Sequence, residues 1–167
     1  MPDVPEALAQ ALHEEYLRER LAAGEVEGSS ASLAAWDDLA EEFRESSRRA
    51  AVDLCEAIRE RGYQLVAVRP DVVERFDDDE LESLARALHD RWMDERLSAG
   101  WRPGAPRDDG ERLHPDLVAW AGLSAERREI DRNLVRKLPS MLGEIGLSLV
   151  RSPRQSDPSG SIDEVTR

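Results

Sequence analysis

The sequence predicts a mainly α protein made of two copies of one helix-loop-helix unit, related by a pseudo-two-fold axis, with a short strand after the second helix of each. Three observations carry that prediction. First, Leu8-Ala9-Gln10-Ala11-Leu12-His13-Glu14-Glu15-Tyr16 is answered 76 residues later by Leu84-Ala85-Arg86-Ala87-Leu88-His89-Asp90-Arg91-Trp92. The match runs on through Glu19–Gly24 against Glu95–Gly100, and 10 of the 17 aligned positions are identical. Self-similarity over such a span marks a duplicated structural unit. Second, Trp36, Leu39, Glu45, Arg48 and Gly62 recur as Trp120, Leu123, Glu129, Arg132 and Gly146 at an offset of 84. The 8 additional residues of the second unit fall within 101–115. Third, one helix pair of roughly 60 residues buries too little surface to be stable alone, and two units in one chain share a core.

Each element has its own signature. The spacing predicts a first helix from Pro5 to Ala23, with Leu8, Leu12 and Tyr16 one turn apart and Leu17 and Leu21 widening the stripe. Gly24 is a suitable stop. A second helix is expected over Leu39–Arg61, where Phe43, Ala50, Leu54 and Ile58 keep helical spacing. Gly62 ends it, and the alternation in Tyr63–Val68 predicts a strand. Asp78 is the expected cap of the third helix, with Glu80 and Glu82 in its first turn. That helix runs to Ala99 with Leu84, Leu88 and Trp92 on its buried face. The Pro-, Gly- and Asp-rich stretch 101–115 reads as a structured loop. A last helix spans Ser124–Ile145, and Pro139 is expected to kink or break it. Leu147–Val150 is the counterpart of the first strand. The expected division is a first repeat with linker over 1–76, a second repeat over 77–150, and a disordered tail over 151–167.

Charge narrows the function classes. The 167 residues carry Lys+Arg 23 against Asp+Glu 36, a net charge of −13. Binding to DNA or RNA needs a positive field, so neither is expected as a partner. No apolar run approaches the ~20 residues of a membrane helix, and the first residues lack the basic start of a secretory signal. The one cysteine, Cys55, excludes a disulfide framework and is expected to be a buried structural residue. These features predict a cytoplasmic module, monomeric through internal pseudo-symmetry or weakly dimeric. Lys137 is the only lysine; the arginine bias points to a GC-rich bacterial genome.

The second loop carries the most specific pattern. It reads Gly100-Trp101-Arg102-Pro103-Gly104-Ala105-Pro106-Arg107-Asp108-Asp109, then His114-Pro115-Asp116-Leu117-Val118-Ala119-Trp120, followed by Asp131-Arg132-Asn133. This order resembles the RyR domain, the repeat of ryanodine receptors that also occurs in many bacterial proteins. The first unit, with His13, Trp36-Asp37-Asp38-Leu39 and Arg44–Arg49, resembles a shortened bacterial version of the same repeat. It departs from the pattern at Glu25, which stands where Trp follows the glycine, and it lacks the Arg-Asp-Asp and His-Pro pairs. The resemblance covers about residues 7–150. It implies a tandem, non-catalytic binding or regulatory module. It also implies a small nucleotide or nucleotide-derived signal as ligand, with the Gly-Trp tryptophan near the base, and a setting in bacterial antiviral systems.

The candidate ligand-binding residues follow from chemistry. Trp101 is either a purine-stacking surface, with roughly 1–3 kcal/mol per stacked base, or a core plug under the loop. Arg107 offers a guanidinium fork to phosphate, with Asp108 and Asp109 to orient it or to accept from ribose hydroxyls; the same trio could instead cap the loop. Arg48, Arg49 and Arg132 are further phosphate candidates. His114 is placed to fix the loop end. Tyr16 and Trp36 are ring candidates, although their periodic positions, like those of Trp92 and Trp120, favour the core. His13 and His89 occupy equivalent places, but no helix has a zinc-ligand spacing, so each is expected to hydrogen-bond within its own repeat and no metal or cofactor is expected. Two function classes remain: a ligand sensor, and a protein-interaction adaptor with no small-molecule ligand. An enzyme has no nucleophile-base pair to support it.

Overall fold

The structure, a computed structural model, describes residues 4–69 and 75–152. Its order is α1 (Val4–Ala22), α2 (Glu41–Glu60), β1 (Tyr63–Ala67), α3 (Asp78–Ser98), β2 (Arg102–Pro103), β3 (Leu113–His114), α4 (Ala125–Glu144) and β4 (Leu147–Arg151). One-turn 3-10 helices at Trp36–Asp38 and Trp120–Gly122 precede α2 and α4. The chain is thus mainly helical with a few short strands, as the periodicity predicts. No helix of the described residues is long and apolar enough to cross a membrane.

Helical spacing puts Leu8, Ala9 and Leu12 of α1 in the core, and Phe43, Ala51, Leu54, Ala57 and Ile58 of α2. The second unit supplies Leu84 and Ala85 from α3, and Val135, Leu138, Met141 and Leu142 from α4. Helix α1 packs on α2 and α3 on α4, while α2–α3 and α1–α4 contacts join the units. All these residues belong to one apolar cluster. Strands β1 and β4 close it as an antiparallel pair with Tyr63 opposite Arg151, Leu65 opposite Leu149 and Ala67 opposite Leu147. Leu65 and Leu149 are equivalent under the 84-residue offset, so the register maps onto itself.

Several bonds recur in both units. His13 Nε2 donates to Ala34 O at 2.7 Å, and His89 Nε2 donates to Val118 O at 2.7 Å. Each histidine bonds within its own repeat, as the sequence predicts. Arg48 Nε bonds Glu6 at 2.6 Å, and Arg132 Nε bonds Glu82 at 2.6 Å. Tyr16, His13 and Trp36 form a ring cluster that recurs as Trp92, His89 and Trp120. Gly24 and Gly100, closing α1 and α3, have φ of +94° and +85°, where a Cβ would be strained.

Three expectations are corrected. Helix α3 is capped by Asp77 rather than Asp78: its side chain accepts from Glu80 N, and Glu80 accepts from Asp77 N. Pro139 does not break α4, which runs through it to Glu144. One missing donor is outweighed because Val135, Leu138, Met141 and Leu142 are anchored on either side of it. Strand β4 takes in Arg151, and Ser152 N bonds Gly62 O at 2.7 Å. The expected disorder of the tail falls otherwise on 153–167, outside the described residues, and part of the expected linker falls on the undescribed 70–74.

Candidate functional site

A partly open cavity of about 160 Å³ lies where the repeats meet. Equivalent positions wall it from both sides: Leu12 and Leu88, His13 and His89, Tyr16 and Trp92, Ser47 and Asp131, Ala50 and Leu134, Phe43 and Arg127. The remaining wall is asymmetric. The second repeat adds Arg96, Trp101, Arg107 and His114, and the first adds Ser32 and Ser46. The asymmetry comes from the longer loop between α3 and α4. Its backbone is fixed by the parallel β2–β3 pair, in which Arg102 lies opposite Leu113 and Pro103 opposite His114. An antiparallel bridge between Asp108 and Leu113 folds the loop back.

Three arginines reach the cavity, each beside a carboxylate. Arg107 Nε donates to Asp109 Oδ1 at 2.7 Å. Arg127 Nε lies 2.6 Å from Asp116 Oδ2. Arg96 is buried, with Nε 3.5 Å from Glu95 and Nη2 bonded to Ser46 Oγ of the first repeat at 3.2 Å. Arg96 and Arg107 lie over the Trp101 ring, with guanidinium carbons 5.5 Å and 5.9 Å from its centroid. Trp101 itself is 3% exposed, and its indole nitrogen has no hydrogen-bond partner among the described residues. Ser32 Oγ and Arg127 Nη1 are buried and unpartnered in the same way. Buried donors are rarely left unpaired, so three on the wall of one cavity are a notable concentration.

Titration differs across the site. Burial pushes His114 down to about 4, with the Arg107 charge adding to it. The geometry agrees: Asp116 N donates to His114 Nδ1 at 3.1 Å, which requires a lone pair there and leaves the ring proton on Nε2. Burial pushes Asp131 up to about 6, although its side chain keeps 21% exposure. The charges of Arg127 and His89 oppose that shift. Burial also acts against the charged form of Asp109, but its bonds to Arg107 and to Ala31 N outweigh it and hold that carboxyl below the ordinary range.

The sequence candidates divide into two groups. Trp101, Arg107, His114 and Tyr16 line the cavity. Asp109 stands directly behind, holding Arg107 and accepting from Ala31 N at 2.8 Å, so it ties the loops of the two repeats together. Asp108 turns the loop by accepting from Glu111 N at 3.0 Å. Trp36 lies in the core against His13. Arg48 is held by Glu6 and Glu41, and Arg132 by Glu82, away from the cavity. Arg49 faces Glu45 at 3.7 Å and likewise lies off the cavity wall. Cys55 is half-buried, and burial pushes its thiol up, which lowers its thiolate fraction.

Sequence reasoning missed Arg96, Arg127, Asp131 and Ser32; Trp92, expected in the core, packs against it and also lines the cavity. Arg96 had a readable signal, since it continues the i, i+4 stripe of Leu84, Leu88 and Trp92 onto a buried face. Arg127 had another: the repeat alignment sets it against Phe43, a core residue. Among the described residues, no group of three or more His, Cys, Asp or Glu side chains is arranged to hold a metal.

The RyR domain family model matches residues 73–151. That span holds α3, the β2–β3 loop, α4 and β4, and it supplies the tryptophans and all three arginines of the cavity wall. This second repeat, residues 73–151, is thus identified as an RyR domain.

Proposed function

We propose that the chain is a non-enzymatic sensor whose inter-repeat cavity binds a small nucleotide or nucleotide-derived signal. The observation that carries this reading is the cavity wall itself: rings from both repeats, Tyr16, Trp92 and Trp101, stand beside Arg96, Arg107 and Arg127. A molecule of net charge −13 repels anions as a whole. A small anion therefore needs a local cluster of arginines, and this cavity supplies one. The volume sets a limit on what enters. A dry cavity of about 150 Å³ takes a benzene ring, so about one group of ring or phosphate size fits fully inside and the rest of a nucleotide lies toward the opening. The proposal includes the setting that the resemblance implies, a cytoplasmic receptor in bacterial antiviral signalling, monomeric by virtue of its two repeats. The adaptor reading has less behind it. Among the described residues, the large exposed apolar side chains, Leu21, Val26, Val52, Val68 and Leu97, come from different helices and loops rather than from one helix face.

Thermal-shift measurements with adenine mono-, di- and triphosphates, ADP-ribose and cyclic nucleotides test the proposal. At least one should raise the melting temperature in a concentration-dependent way. No stabilisation by any of them at millimolar concentration would turn the balance to the adaptor.

A further inference from the structure

The resemblance places a tryptophan of the Trp101 type near a base, yet the Trp101 ring is not open to one. It is 3% exposed, and two guanidinium groups already lie over it, at 5.5 Å and 5.9 Å. What Trp101 does have free is its indole N–H, buried and without a partner among the described residues. One neighbour on that wall, Ser32, shares the property. Arg107 over the ring bonds Asp109, and Asp109 accepts from Ala31 N. The next residue in the chain is Ser32, which lines the cavity with its buried hydroxyl also unpartnered. An indole N–H and a guanidinium can only donate, so the group that completes this wall must be an acceptor. Two arginines beside it favour an acceptor that carries negative charge.

We propose that the wall formed by Trp101, Ser32, Arg96 and Arg107 is an oxyanion subsite, in which Trp101 acts as a hydrogen-bond donor through Nε1 rather than as a stacking platform. The ligand's phosphate or carboxylate enters this wall, and its ring lies against the half-buried Tyr16 and Trp92. This deepens the reading above and uses the same cavity. It assigns the buried end of the ligand to its anion, and it makes Ser32, a residue of the degenerate first repeat, a specificity determinant.

The four tryptophans give four indole signals in a proton–nitrogen correlation spectrum of the ¹⁵N-labelled full chain. The signal absent from Trp101→Phe identifies Trp101. Inorganic phosphate, acetate, adenosine and AMP are the probes, with phosphate and acetate separating the two oxyanion sources. The Trp101 indole proton should move downfield and saturate with AMP and with phosphate or acetate, and stay in place with adenosine. Ser32→Ala should weaken AMP about tenfold, the factor that one lost hydrogen bond of about 1.4 kcal/mol gives, and leave adenosine unchanged. A Trp101 signal that moves with phosphate while no nucleotide binds supports the subsite and removes the nucleotide reading. AMP that shifts other signals but not this one, an equal response to adenosine and AMP, or no response to any of the four overturns the subsite.

Discussion

Glu82 carries more than its ion pair suggests. It accepts from the Trp120 indole nitrogen at 2.9 Å as well as from Arg132. Its pairing with the half-buried Arg132 is partly screened, because Glu82 itself faces solvent, and contributes modestly. The Trp120 indole sits in the core, where an orphaned donor costs about 1–3 kcal/mol. Glu82→Ala should therefore destabilise the protein by about 1–2 kcal/mol in urea unfolding, mostly through the tryptophan. Two cavity residues make a second prediction, this time in pH. Asp131 is raised from 3.8 to about 6, so the folded state holds a proton that the unfolded state gives up. Its contribution is fully present below pH 3.8 and is lost as pH rises through 6. His114 is lowered from 6.5 to about 4, so the unfolded state takes a proton first, and stability falls as pH drops from 6.5 through 4. The two slopes oppose each other over the same window. Relative to the parent, Asp131→Asn should make stability rise more steeply with pH between those values, with a gain at neutral pH of about 1–3 kcal/mol. His114→Asn should tilt the same curve the other way. Parallel curves for both variants would contradict the assignment.

At the scale of elements, the start of α3 shows how one side chain serves several. Glu80 closes the capping box with Asp77, accepts from Tyr63 Oη at 2.9 Å, and pairs with Arg151 of β4 at 2.7 Å. Asp77→Ala removes a cap and should cost about 1 kcal/mol. Glu80→Ala detaches the helix from both strands as well, and should cost measurably more in the same denaturation series. Pro139 allows the opposite kind of test. Pro139→Ala restores a backbone donor inside an intact helix and should stabilise the protein by about 1–3 kcal/mol. Periodicity made the helices legible because burial follows it closely, and repeat matching gave the β1–β4 partnership its logic. The β2–β3 pair was not legible, since two residues on each side leave no alternation to read. The cap slipped by one because Asp77 and Asp78 are chemically alike, and only the reach to Glu80 distinguishes them.

The whole molecule depends on both repeats. Glu15 of α1 binds Lys137 of α4, and at the equivalent places Arg91 of α3 bonds Asp53 O of α2 at 2.6 Å and faces its carboxylate at 3.5 Å. The two junctions carry the same pair with the charges exchanged. Each repeat therefore favours the other over a second copy of itself, which would bring like charges together at both junctions. Half of the candidate site was readable for the same reason that half was not. Trp101, Arg107 and His114 stand in an ordered motif, whereas Ser32 and Arg127 matter only because two repeats bring distant residues to one cavity. That cavity is also where the account is most directly tested. Ala50 lines it, as does its equivalent Leu134, so Ala50→Phe fills part of the space without removing a polar group. The decisive measurement is the thermal shift of parent and Ala50→Phe across the nucleotide panel. A ligand at 100 times its dissociation constant should stabilise the parent by about 2.7 kcal/mol and leave the equally folded variant unmoved. Equal shifts in both proteins, or none in either, would contradict a ligand site between the repeats.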